Sequence, residues 1–480
     1  MSAPDPLFIE AAALLLGPRG WTTDAELMGP WLTDWRGRYS GRACGLASPA
    51  DTAEVAAIVA LCASHNVPIV AQGGNSGMSG GATPDHSGAA LLLSLRRLNW
   101  IGEIDPAARQ VTCGAGLVLQ NLHEAAEEAR LRFPLTLGGK GSATVGGLIS
   151  TNAGGSQVLR HGSMRAQVLG LEAVLADGKV WSALTPLKKD NRGFDLKQLF
   201  IGSEGTVGII TAATLKLEPA IAQRRVAWAG LVSIGAARAL LLQVQAGLGD
   251  ALEGFEVLPR NCLDAVLANN PAARAPLAAP HAWHALIEVT SAVAEVDLQG
   301  SLEAVLHDAL QDGTIEDATI AASEDQADAF WTLRESISGA LRAKGAAMQH
   351  DISVPVTRMA DFIAFAIPEV ERAWLGCSAF AFGHLGDGNV HFHVTAPAAA
   401  VRGEWELGQG KAVSQFVHDL VTQWHGSISA EHGIGQMKAA ELARLADPVS
   451  LELMRRVKDA LDPADLFNPG KLLAPRETSA

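Results

Sequence analysis

The chain has 480 residues, of which 48% are hydrophobic and 18% charged, and its net charge is −14 at pH 7. That length predicts two or three domains with large buried cores, and the acidic balance argues against nucleic acid or an anionic membrane surface as the main partner. Five scattered cysteines (Cys44, Cys62, Cys113, Cys262 and Cys377), with no CxxC pair, argue against a disulfide scaffold.

Taken in chain order, residues 1–39 read as short helices broken by proline. The opening Met1–Pro6 lacks the basic start and apolar run of a signal peptide, and no uncharged apolar run of membrane-spanning length follows, so a cytoplasmic protein is expected. Ser48-Pro49-Ala50-Asp51 leads into a capped helix ending near Asn66. A strand over Pro68–Ala71 precedes a Gly-rich loop from Gly73 to Gly81. Leu91–Leu95, Ile101–Asp105 and Val111–Cys113 read as short strands, and Leu119–Ala129 as a helix. A second Gly-rich stretch runs from Gly138 to Gly155, and Asp177-Gly178 sits between strand-like Leu169–Leu175 and Lys179–Ser182, a hairpin pattern. After Glu218-Pro219 the texture changes. Amphipathic stretches at 235–248, 262–274 and 300–311, with strands such as Trp283–Val289 between them, predict a second α+β domain. One helix is expected over 327–344, then a strand-like Gln349–Pro355, a Gly- and His-rich zone from Phe382 to Val394, a helix near 440–460 and a closing segment at Leu466–Leu473.

The loop Gly73-Gly74-Asn75-Ser76-Gly77-Met78-Ser79-Gly80-Gly81 exposes successive backbone N–H groups, which can cradle phosphate oxygens. It is not a Walker A loop, since no Gly-Lys-Ser/Thr ends it, nor the Rossmann fingerprint. A plain surface turn is the simpler reading, but five glycines in nine residues exceed what a turn needs. In the second stretch, Gly141-Ser142-Ala143-Thr144-Val145-Gly146-Gly147 through Asn152-Ala153-Gly154-Gly155, small residues and hydroxyls would let a flat ligand lie against backbone. A buried helix packing through glycine is the alternative.

Together these two stretches resemble the FAD domain of the vanillyl-alcohol oxidase (p-cresol methylhydroxylase) superfamily. Lys189–Leu196, Phe200–Ile209, Gly383–His391, Ser429–Gly435 and the closing Asp462-Pro463 and Phe467-Asn468-Pro469-Gly470-Lys471 resemble its D-lactate and D-2-hydroxyglutarate dehydrogenase branch. The blocks run in the same order over roughly residues 40–473. The resemblance implies an α+β fold with an FAD-binding domain at 40–220, a substrate domain containing an antiparallel sheet at 221–425, and a C-terminal helical segment at 426–480 that returns to the active site. It implies that Gly73, Gly74, Asn75, Ser76 and Gly77 bind the FAD pyrophosphate. Gly141, Ser142, Thr144, Gly147, Asn152 and Gly154 would line the adenine and flavin, and Glu204, Gly208, Ile209 and Asn468 would complete the pocket. Some relatives attach flavin through a His in the first loop; none stands here, so FAD is expected to be non-covalent.

A two-residue turn at Asp387-Gly388 would set His384 opposite His391, with His393 and Phe382 on the same face. Two imidazoles so placed can grip one metal ion, with a third ligand from elsewhere and open positions for chemistry. The resemblance nominates Glu431 as that ligand; mixed N/O ligation suits zinc and does not exclude manganese or cobalt. For a single His, ordinary hydrogen bonding would be the better reading; the pair tips the balance. Oxidising a 2-hydroxy acid requires a base for the hydroxyl proton, which a neutral imidazole suits, and the resemblance nominates His432. Arg334 and Ser338, four residues apart in the expected helix, could share a face toward a carboxylate.

Gln349 and His393 stand where hydroxyglutarate dehydrogenases usually have Lys and Asn. The expected substrate is therefore D-2-hydroxyglutarate or a similar acid such as D-malate, with D-lactate as the alternative. The partners expected are that small anion, an electron acceptor (an electron-transferring flavoprotein, a quinone or a cytochrome) and a second copy of the chain in a homodimer. A zinc hydrolase built on the same histidines is the non-redox alternative, and a flavin subunit without activity of its own is a third reading.

Overall fold

A computed structural model describes residues 5–187 and 189–475; the expectations for residues 1–4 and 476–480 lie outside the described residues. The chain forms two compact units. The first comprises 1–154, 162–219 and 431–480, the second 155–161 and 220–430. Among the described residues no helix is long and apolar enough to cross a membrane.

In the first unit, β1 (Gly45–Ala47) and β2 (Ile69–Gln72) flank β3 (Leu91–Ser94) in parallel, with Trp21–Thr22 at the edge. Parallel strands need a crossover, and helix α1 (Thr52–His65) supplies it. Asp51 caps it by accepting from Glu54 N–H, and Asn66 ends it in the left-handed conformation. Its Val55, Ile58, Val59 and Cys62 bury against Leu91 and Leu93. A second, antiparallel sheet runs in the order β4 (Gln110–Gly114), β7 (Ile209–Lys216), β5 (Val168–Val174), β6 (Val180–Ala183). The hairpin around Asp177-Gly178 forms with Val174 opposite Val180. The strand expected at Ile101–Asp105 does not form. Only isolated bridges, Ile101 to Cys113 and Asp105 to Gln110, mark it, because Asp105 instead folds back to accept from Ala107 and Ala108 N–H.

The second unit is built on a seven-stranded antiparallel sheet. In chain order its strands are β8 (Gln223–Leu231), β9 (Leu252–Pro259), β10 (Trp283–Ser291), β11 (Asp317–Ile320), β12 (Ala347–Ser353), β13 (Ser378–His384) and β14 (Asn389–Thr395). In space the order is β11-β8-β10-β9-β13-β14-β12. The period of two sorts its side chains. Ala227, Ala229, Phe255, Val257, Ala379, Ala381, Val390, Phe392 and Ile352 enter one core. Val226, Trp228, Leu258, Phe380 and Phe382 enter the other, under helices α2 (Glu324–Glu335) and α3 (Ile337–Ala343). By the same alternation Glu256, Gln349, Asp351, His391 and His393 belong to that second face. The single helix expected over 327–344 is therefore two, and the 262–274 stretch is helical only over Arg260–Asn269, ahead of Pro271. Ser336 separates α2 from α3, although its own N–H and carbonyl still bond Thr332 O and Ala340 N–H. Arg334 and Ser338 lie on consecutive helices and do not form an i, i+4 pair on one.

Candidate active site

In the first unit the Gly-rich loop leaves β2 directly. Arg96 holds its carbonyls, donating to Gly73 O at 3.3 Å and Gly74 O at 3.0 Å. Among the described residues the backbone N–H groups of Asn75, Ser76, Gly77 and Met78 find no protein acceptor, so they can meet an anion. Asn75 is left-handed (φ 54°) and anchors the turn through Nδ2 to Thr33 O. A Cβ on Gly74 would stand 1.7 Å from Ser142 O, so the two Gly-rich stretches are packed backbone to backbone. Beside them the Thr144 hydroxyl is buried with no partner, a donor that a bound cofactor would satisfy. Gly141 is open on its Cβ side, and Gly147, in the first turn of the helix Val145–Thr151, faces Thr144 Oγ1. Asn152 caps that helix in the left-handed region and accepts from Ser163 Oγ and Arg165 N–H, with Gly154 buried just beyond. These features fit FAD.

The return segment is stitched to the same loop. Glu204, left-handed at φ 54°, accepts from Ile434 N–H and Gly435 N–H, each at 2.7 Å. Burial pushes its carboxyl above the ordinary range and the two N–H donors oppose the shift. Gly435 is obligatory: a Cβ there would meet Ser79 O at 2.1 Å. Asn468 accepts from Ala71 N–H at 3.2 Å and donates to Glu204 O at 2.7 Å, tying the closing motif to β2. Asp462 supports that motif by accepting from Leu466 and Phe467 N–H. Gly208, packed on the Phe200 ring, leads into Ile209 at the start of β7. The candidates Glu204, Asn468, Asn75 and Asn152 all hold positive φ, a conformation uncommon outside glycine and concentrated at functional sites.

In the second unit the His-rich hairpin forms with a register different from the expected one. Asp387 does not adopt the positive φ that a type I′ turn requires; only Gly388 does, at 84°. Asp387 and Gly388 N–H both reach back to His384 O, and Asp387 caps Asn389 N–H at 3.0 Å. The longer loop pairs His384 with Asn389 and Phe382 with His391. A shift of two residues preserves the face, so the imidazoles of His384 and His391 still meet, as diagonal neighbours with ring centroids 5.5 Å apart. Phe382 packs against both His391 and His393, at 5.2 and 5.1 Å.

Burial, then the charge of Arg334 and the neighbouring His384, push the His391 imidazole well below its usual pKa. It is a neutral ring with a lone pair to offer. The donor set of two imidazoles fits a borderline divalent ion.

Arg334 does not stand on a solvated helix face. Its Nε donates to Glu256 Oε2 at 2.8 Å, its guanidinium lies 5.2 Å from the Phe382 ring centroid, and its Nη2 is buried without a partner. Glu256, fully buried on β9, also lies 2.5 Å from His384 Nδ1 through Oε1. Burial works to raise its pKa, but Arg334 and His384 outweigh it and hold the carboxyl far below the ordinary range. Glu256 was not singled out in the sequence. The available signal was a carboxylate inside the apolar run Leu252–Pro259, since a charge in a strand buried on both faces needs a partner. Gln349, opposite His393 in the β12–β14 ladder, reaches Ser338 O at the long limit of 3.5 Å and leaves its own Oε1 buried without a partner. Ser338 contributes a backbone carbonyl there. Asp351 faces His391 across the same ladder and accepts from Asn389 Nδ2 at 2.9 Å.

Glu431 follows directly on this sheet. Ser427 pairs with Ser353 at the end of β12, and Ala430 N–H bonds Asp351 O at 3.3 Å. The next two residues are Glu431 and His432, the first of the return segment of the first unit.

Comparison with known proteins supplies the rest. A family model described as "FAD linked oxidases, C-terminal domain" matches residues 221–472, and one described as "FAD binding domain" matches 44–183. The chain belongs to the FAD-linked oxidase family. Within that family it is similar to proteins named D-2-hydroxyglutarate dehydrogenase. One from Bos taurus is 38% identical over 454 residues (94% of this chain, 80% of that protein), and one from Arabidopsis thaliana is 36% identical over 461 (96% and 80%). One from Xanthomonas citri pv. viticola is 34% identical over 472 (98% and 97%). The fold of this FAD-linked oxidase is that of p-cresol methylhydroxylase, with a TM-score of 0.73 at 15% identity over 98% of this chain and 96% of that one. The enzyme is an FAD-dependent oxidoreductase of the D-2-hydroxyacid dehydrogenase type.

Proposed function

We propose that this enzyme oxidises D-2-hydroxyglutarate, or a D-2-hydroxy acid of similar build such as D-malate, to the 2-oxo acid, with non-covalent FAD and a divalent metal. The observation that carries this reading is the composition of the second-unit face: two neighbouring imidazoles, and an arginine with one unspent, buried N–H₂ group. The names of the relatives support the substrate class. FAD held by the Gly73–Gly77 loop and the Gly141–Gly154 stretch supplies a two-electron acceptor, and a divalent ion at His384, His391 and Glu431, most naturally zinc, supplies a Lewis acid. His432 takes the hydroxyl proton as the C2 hydride departs. Arg334 Nη2 receives a carboxylate, Gln349 adds a neutral hydrogen bond, and His393 closes the pocket on the side of Phe382. Residues 40–220 serve the flavin, 221–425 the substrate, and 426–480 carry Glu431 and His432. The electrons pass on to an electron-transferring flavoprotein, a quinone or a cytochrome.

D-lactate is the alternative substrate, favoured by the missing lysine at position 349. A zinc hydrolase leaves the FAD-binding region without a role. The test is anaerobic bleaching of the flavin across a panel of D- and L-2-hydroxy acids. Rapid bleaching by D-2-hydroxyglutarate and none by L-enantiomers is expected. Bleaching by D-lactate alone overturns the dicarboxylate reading.

A further inference from the structure

We infer that Glu256 is a positioning residue serving both halves of the substrate face at once: one carboxylate oxygen sets the tautomer of His384, the other sets the orientation of Arg334. The inference rests on the metal and substrate roles proposed above, but its geometry stands within the second unit alone.

His384 Nδ1 lies 2.5 Å from Glu256 Oε1, an ion-pair distance at which the angle falls short of a linear hydrogen bond. Two lone pairs cannot face each other at that distance, so Nδ1 carries the proton. An ion can bind only the neutral ring, in which Nδ1 holds the single N–H and Nε2 offers its lone pair. Carboxylates that bind a ligand histidine through its other nitrogen fix tautomer and ring orientation in this way. The second oxygen takes Arg334 Nε at 2.8 Å. A guanidinium is a rigid planar fork, so that bond, with the Phe382 ring 5.2 Å away, dictates where the unpaired Nη2 points. Glu256 is wholly buried, so no solvent molecule replaces either contact.

An amide cannot do both jobs. In Glu256→Gln one side-chain atom is an acceptor and the other a donor. Either Arg334 loses its acceptor, or His384 must turn its lone pair to the amide N–H₂ and protonate Nε2.

The experiment has two arms. In metal-free wild-type protein labelled with ¹⁵N-histidine, the nitrogen shifts of His384, assigned by their disappearance in His384→Gln, are expected to report a proton on Nδ1. A proton on Nε2 with none on Nδ1 overturns the inference without any Glu256 variant. In the second arm, Glu256→Gln and Glu256→Asp with FAD retained are titrated with zinc against a chromophoric chelator and assayed with D-2-hydroxyglutarate. Zinc affinity is expected to fall by about 10–100-fold in Glu256→Gln, with KM raised through Arg334 and with Asp partly restoring both. Unchanged zinc affinity and unchanged KM overturn it. Wild-type protein that binds no zinc defeats the metal reading, and the His384 tautomer and the KM comparison then decide the role of Glu256.

Discussion

The Ser79 hydroxyl lies 3.1 Å from the carbonyl oxygen of His432 and 3.0 Å from that of Gly433. The Gly-rich loop thus clamps the segment that carries the proposed base, and Ser79 O accepts in turn from Gln436 and Met437 N–H. His432→Ala is expected to slow flavin reduction by about 10²–10⁴-fold, the range of a positioned general base, with FAD still bound. Ser79→Ala is expected to slow it less, by loosening the clamp. Stopped-flow reduction measures both, and a His432→Ala effect of only a few-fold removes His432 from the role.

Removal of the metal is expected to abolish turnover while the protein stays yellow, since the Gly-rich loop and the imidazole pair are separate sets of residues. Dialysis against a chelator, followed by metal analysis and assay, checks this. Zinc is expected to restore activity, and full activity in metal-free protein assigns the histidines a structural role.

With no histidine in the loop from Gly73 to Gly81, the flavin is expected to leave on denaturation. Acid precipitation should send the colour to the supernatant. Colour retained in the pellet contradicts non-covalent binding.

Specificity is best probed at position 349. Arg334→Ala strands Glu256, and breaking a buried pair costs about 3–5 kcal/mol, so loss of activity there mixes folding with binding. Gln349→Lys adds a charge where Gln349 leaves an unpartnered oxygen. Charged hydrogen bonds exceed neutral ones by about 1–1.5 kcal/mol, so kcat/KM for D-2-hydroxyglutarate relative to D-lactate is expected to rise about tenfold. A fall in that ratio places the distal carboxylate elsewhere.

Stability is expected to fall with acid through His284. Its Nδ1 accepts from Trp228 Nε1 at 3.1 Å, and burial, with His281 adding to it, lowers its pKa to about 4. Unfolded, the ring titrates near 6.5. The unfolded chain therefore binds more protons between those values, so stability rises with pH across that window and is lost as pH falls from about 6.5 toward 4. Denaturant midpoints across that range should show a shallower decline in His284→Phe than in wild type. An equal decline places the titrating group elsewhere.

Much of this protein is written locally. Glycine clusters, the Asp177-Gly178 turn, the capped helix ending at Asn66 and the facial parity of His384, His391 and His393 follow from backbone preferences and the period of a strand, and a two-residue slip in register leaves that parity intact. Tertiary structure alone decided the partners. Arg334 reads in sequence as a helix-face arginine, but Glu256, 78 positions earlier on β9, takes its Nε. Glu204 reads as a pocket residue, and its carboxylate is spent on Ile434 and Gly435. Periodicity reports which face a side chain occupies, whereas buried charges are satisfied by whichever group the packing of distant strands brings within hydrogen-bond reach, and that depends on the order of strands in the sheet.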